Sequence, residues 1–238
     1  MIQQLNELQK LYDVFFQKMR VDTQTGRMSD SGIRFTGYPF IGRNYYTAKQ
    51  KILFVSLDVG MDECRSDNTF HSFEDRRNIY PDGMLDFNPH IAGMYATALY
   101  ILKDKMGWEK SWEELWSLRD TYKNAKAIRL SYDSLPKDLM SYIAYDNRFR
   151  FVTINRDLRT GGQDRKYLNP EYEGKLLLDE IRVLSPDIIV FQGKDGLWNC
   201  HIEELRREYK VVIAYHPSCY QYGADKLQYI VDSIAPQL

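Results

Sequence analysis

Four short apolar runs constrain this chain more than any other feature: KILFVSL (51–57), FRFVTIN (149–155), DIIVFQ (187–192) and KVVIAY (210–215). Each is too short for a helix and is rich in β-branched or aromatic residues, the pattern of strands buried on both faces. Helical patterns lie around and between them. Ile2, Leu5, Leu8, Leu11 and Phe15 space out an amphipathic helix over residues 1–20. Asn88-Pro89 and Asn169-Pro170 each pair a cap with a proline at the first helical position. They open PHIAGMYATALYILKDKMG and a helix presenting Leu177, Ile181 and Leu184. Ser111-x-x-Glu114 has the form of a capping box and opens a further helix around WEELWSL. Another helix is expected after Asp133, with Pro136 in its first turn. Two more cover about 195–207 and 224–234, and residues 21–50 read as an irregular approach.

Strands alternating with helices specify an α/β fold: a three-layer α/β/α sandwich around a central, mainly four-stranded parallel sheet. The expectation is one domain over 1–238, with an N-terminal helical extension over about 1–48. The gap between the first two runs exceeds a simple crossover and implies a helical insertion over about 104–148.

Composition narrows the class further. With 238 residues, 44% hydrophobic and 27% charged, the chain is neither disordered, collagen-like nor a coiled-coil rod. No apolar run is long enough to cross a membrane as a helix, and residues 1–20 lack the pattern of a signal peptide. Cys64, Cys200 and Cys219 form no CxxC pair or disulfide framework, so a reduced, cytoplasmic monomer is expected. Thirty-two basic residues against 33 acidic give a net charge of −1. A nucleic-acid partner would therefore require the basic residues to gather on one face.

Open parallel sheets bind ligands at the carboxyl ends of their strands. The four exits are Asp58-Val59-Gly60, Asn155-Arg156-Asp157, Gln192-Gly193 and His216-Pro217-Ser218. Strand ends are often polar because loops are solvated. An Asp, an Asn and a His on one rim nevertheless form a candidate site. His71, His90, His201 and the cysteines show no zinc spacing, and RTGGQDRK lacks the GK[ST] ending of a phosphate loop. No metal or cofactor is expected.

SLDVG (56–60) at the first exit and HPS (216–218) at the fourth resemble the two signature motifs of the uracil-DNA glycosylase superfamily. Between them, a strand ending in Asn155 and LLLDEIRVLSPDIIVFQG (176–193) follow the same order. The likeness covers about 51–75 and 149–222. Ser56 and Val59 depart from the usual glycine and proline of the first motif, and no cysteines match those of the iron-sulfur branches, so no cluster is expected. Gly60 stands where the uracil-specific branch carries a tyrosine that excludes 5-substituted bases, which would leave room for a larger base.

The resemblance implies hydrolysis of an N-glycosidic bond. Asp58 would polarise water against the anomeric carbon, and His216 would donate to the departing base. Asn155 would pair with the edge of a flipped base, a role that a small register shift would pass to Thr153. Phe70, with Phe73 in reserve, would stack on that base. Tyr220 would enter the duplex, and Ser218, Arg156 and Arg159, with Arg165 and Lys166, would meet phosphates. On residue type alone, Asp58 serves equally as a turn cap and His216 as a turn residue. Phe70 and Phe73 serve as core, Asn155 as a strand cap, Tyr220 as a surface residue, and the arginines as a solvated loop.

The implied activity is a monofunctional glycosylase acting on DNA, as a duplex with a flipped base or as a single strand, and leaving an abasic site. Uracil or a bulkier pyrimidine would be its target. Three alternatives stand beside it: an anti-phage enzyme excising hypermodified cytosine, a silent binder of modified bases, and a hydrolase of free nucleosides.

Overall fold

A computed structural model describes residues 2–35, 37–56, 73, 76, 86–87, 89–117, 128–129, 135–151, 170–193, 199–217 and 226–238. Helix α1 is Ile2–Met19, followed by a small antiparallel pair, β1 (Val21–Asp22) and β2 (Arg27–Met28). Next come β3 (Phe40–Ile41) and β4 (Ile52–Ser56). Beyond them lie β5 (Asp86–Phe87), α2 (Pro89–Met106), α3 (Glu109–Ser117) and β6 (Ile128–Arg129). The remainder is β7 (Ile143–Asn147), α4 (Pro170–Leu184), β8 (Ile188–Gln192), α5 (Asn199–Glu208), β9 (Lys210–Ala214) and α6 (Lys226–Tyr229).

The fold is α/β, built on a five-stranded mixed, mostly parallel sheet in the order β3-β7-β4-β8-β9. β4 pairs with β8, and β8 with β9, in parallel register. Every residue of β4, β7 and β8 is buried, so both faces of these strands are covered. At the β3 edge, the N–H groups of Gly42 and Asn44 donate to the carbonyls of Ile143 and Ser141.

Several sequence expectations need correction. A strand the sequence pattern did not single out, IAYDN at 143–147, lies in the sheet; of the expected run 149–155 only residues 149–151 are described, and Phe151 makes an isolated bridge to Phe35. Asn147 ends the 143–147 strand, and these residues, placed in sequence within an insertion, belong to the sheet; residues 152–155, with Asn155, lie outside the described residues. Ser111 is a buried residue inside α3, which starts at Glu109. Gly107, at φ 72°, ends α2, and the Trp108 carbonyl already accepts the Trp112 N–H. Ahead of β7 there is a single 3-10 turn, Leu139–Tyr142, where a full helix was expected. The closing helix expected over 224–234 is present across its described residues, α6 continuing as a π-helical turn over Ile230–Ile234. Ile2, expected on the apolar face of α1, is 74% exposed.

Two compact units emerge. The first gathers Met1–Phe40, Ser56–Arg76 and Asp146–Ser185. In it α1 lies along α4, and Tyr12, Phe15, Phe16, Phe35, Tyr38 and Phe151 form an aromatic core. Under that core the buried Arg150 guanidinium is paired with both Asp146 and Glu180, and Tyr12 donates its hydroxyl to Glu180. Glu173 accepts the Arg150 backbone N–H at 2.6 Å.

The second unit gathers Ile41–Val55, Arg77–Tyr145 and Pro186–Leu238. Helix α2 is buried from Ile91 to Leu99, consistent with its nearly all-apolar sequence. The edge strand β9 is closed by the Gln237 amide, which accepts the Ile213 N–H at 3.0 Å and donates to its carbonyl at 2.8 Å. Ser233 Oγ accepts the Tyr215 N–H at 2.9 Å, fixing the chain just before His216.

Candidate functional site at the strand exits

The parallel register of β8 and β9 brings their carboxyl ends together. Gly193 follows β8 at φ 143°, a conformation that favours glycine, and its N–H donates to the Ala214 carbonyl at 2.9 Å. Gln192, the last residue of β8, is 1% exposed. His216 lies two residues beyond β9 and is half-buried.

His90 joins these two exits. It is the second residue of α2, and its Nε2 lies 2.8 Å from Gln192 Oε1. Its ring stacks on that of His216, with centroids 5.0 Å apart and planes 22° from parallel. Tyr145 of β7 meets the same His90 ring edge-on at 5.5 Å. One turn along α2, Gly93 faces Pro217 so closely that a Cβ would overlap the proline's own Cβ. Both tethers act on the His216-Pro217 pair, because residues three apart share one helix face.

Two imidazoles, an amide and a phenol thus converge where an open sheet places its ligands. Such a cluster can donate hydrogen bonds to a developing anion and can exchange a proton. Sequence reasoning found His216 and the Gln192-Gly193 exit. It passed over His90, which belongs to no motif; its one signal was its place in the first turn of a proline-opened helix.

Asp58, Gly60, Phe70, Thr153, Asn155, Arg156, Arg159, Arg165, Lys166, Ser218 and Tyr220 lie outside the described residues. Phe73 is packed into the aromatic core of the first unit, 4.1 Å from Tyr38 and 5.6 Å from Tyr12 between centroids.

In the first unit, the Arg148 N–H donates to the Ser56 carbonyl at 2.7 Å, tying the end of β4 to the chain after β7. The charges beneath it bear on protonation. Burial raises the Glu180 carboxyl well above the ordinary carboxylate range; Asp146 reinforces the rise and Arg150 opposes it. Burial also works against the Arg150 charge, but Asp146 and Glu180 outweigh it and hold the guanidinium protonated.

No protein-family model matches the chain, and no curated protein is found to be similar to it. No helix among the described residues is long and apolar enough to cross a membrane.

Proposed function

We propose that this protein is a DNA glycosylase with a three-layer fold of the uracil-DNA glycosylase type. It hydrolyses the bond between a flipped-out uracil or modified pyrimidine and its deoxyribose. The observation that supports this reading most is His216, half-buried at the exit of a parallel strand and stacked within a polar cluster. The motif order of the sequence supplies the rest.

Bond cleavage builds positive charge on the sugar and negative charge on the leaving base. Asp58 orients water toward the anomeric carbon and offsets the sugar's charge. His216 donates a hydrogen bond to the base as its electrons arrive, and Asn155 and Phe70 hold the base by its edge and face. Gly60 leaves space beside the base for a 5-substituent. Ser218, Tyr220, Arg156 and Arg159 hold the strand through its phosphates and the gap left by the base.

Turnover and binding separate this reading from its rivals. Asp58→Asn is expected to abolish base release while retaining affinity for a uracil-containing duplex. That affinity falls steeply with salt if phosphates are engaged. A variant with undiminished turnover contradicts the role of Asp58. Salt-independent action on free deoxyuridine would favour a nucleoside hydrolase instead.

A further inference from the structure

We propose that His90 is a positioning residue for His216: held by Gln192, its ring stacks on the His216 imidazole and fixes the plane in which that ring meets the departing base. The inference rests on the glycosylase reading and adds to it a residue that none of the sequence motifs contains.

A histidine ring rotates about a broad, weakly restrained terminal torsion, so a His placed only by its backbone presents its N–H over a wide arc. A hydrogen bond to an anion that exists only near the transition state is effective when the donor is already aimed. The His90 ring lies against one face of His216, 5.0 Å away and 22° from parallel, within the offset-stacked range of aromatic pairs.

Three features place the His90 ring there, and two of them do not depend on its nitrogen atoms. Gln192, buried at the end of β8, meets its Nε2 at 2.8 Å. Tyr145 from β7 closes edge-on against the ring at 72°. Gly93, on the same helix face, lets α2 approach the buried Pro217 without an intervening side chain. The helix that carries His90 is thereby registered against the very turn that carries His216.

The test uses the full chain with His90→Ala and His90→Phe. The phenyl ring keeps a flat stacking surface and gives up the Gln192 bond. The chain has 4 histidines, so the His216 ring protons are assignable by single substitution in NMR spectra. Stacking predicts that these resonances move in His90→Ala, where the neighbouring ring current is lost, and stay near their wild-type positions in His90→Phe.

On a uracil-containing duplex, His90→Ala is expected to lower kcat by about ten- to a hundredfold with little change in KM, as for a slightly misplaced reacting group. His90→Phe is expected to recover most of that loss. Unchanged His216 resonances in His90→Ala overturn the proposal, as does equal impairment of the Ala and Phe variants. If His90→Ala does not fold, His90→Gln replaces it, keeping bulk and an amide but no ring. If the wild type releases no base, the glycosylase reading falls, while the resonance comparison still decides whether His90 orients His216.

Discussion

Gly93 meets Pro217 with no room for a methyl group, and the overlap falls on a proline ring that cannot rotate aside. Gly93→Ala is therefore expected to cost about 1–3 kcal/mol by overpacking and to reduce base release beyond what the stability loss explains, because the His216-Pro217 turn must shift. Denaturant unfolding alongside kinetics checks both. Arg150 poses a different problem: a fully buried cation between the Asp146 and Glu180 carboxyl groups. Removing one partner of such a cluster leaves uncompensated charge, so Arg150→Ala is expected to lose about 3–5 kcal/mol, read from the denaturation midpoint. A loss below 1 kcal/mol would mean that the carboxylates find other partners. His216 was legible because its neighbours in sequence, a strand before it and Pro-Ser after it, announce a strand exit. His90 and Arg150 were not, because their partners at Gln192 and Glu180 are 102 and 30 residues away.

The elements divide along the same line. Strands β4, β8 and β9 were readable within a residue or so, since their apolar runs are uninterrupted and, for β4 and β8, end at Ser56 and Gln192. Strand β7 was not. Its sequence IAYDN ends in two polar residues, Asp146 and Asn147, that local pattern assigns to a loop, whereas FRFVTIN has the stronger β composition. Tertiary structure makes IAYDN a strand nonetheless, giving Asp146 a buried guanidinium to bind. The helix starts at Pro89 and Pro170 were legible from proline alone, while the Ser111 capping box was a pattern match inside a helix already begun. The edge strand β9 leans on a distant amide, so Gln237→Ala, which strips two hydrogen bonds from Ile213, is expected to destabilise by about 1–2 kcal/mol. Amide hydrogen exchange would show faster exchange concentrated at Ile213, and uniform protection would argue against this role.

At the scale of the molecule, the α/β class and the strand alternation were legible in the sequence, and the fifth strand β3 was not, being two residues long. The buried ionic cluster also gives the whole chain a pH dependence. The Glu180 carboxyl is raised in the folded state, chiefly by burial, so the folded protein holds its proton where the unfolded chain has released it. The stability this contributes is complete below the ordinary glutamate range and is lost as pH rises toward the folded value. Glu180→Gln, which mimics the protonated side chain, removes that loss. Its melting temperature relative to wild type is expected to increase as pH rises above about 4.5, whereas a constant offset would contradict the assignment.

The central claim, that the strand-exit cluster serves base excision, is tested most directly by alkali cleavage of labelled duplexes after incubation with the wild type and Asp58→Asn. The duplexes carry uracil, thymine opposite guanine, hydroxymethylcytosine or glucosylated hydroxymethylcytosine. The account predicts strand breaks at one of these bases with the wild type and none with the variant. Intact strands throughout, with duplex binding preserved, would contradict it and identify a binder of modified bases instead.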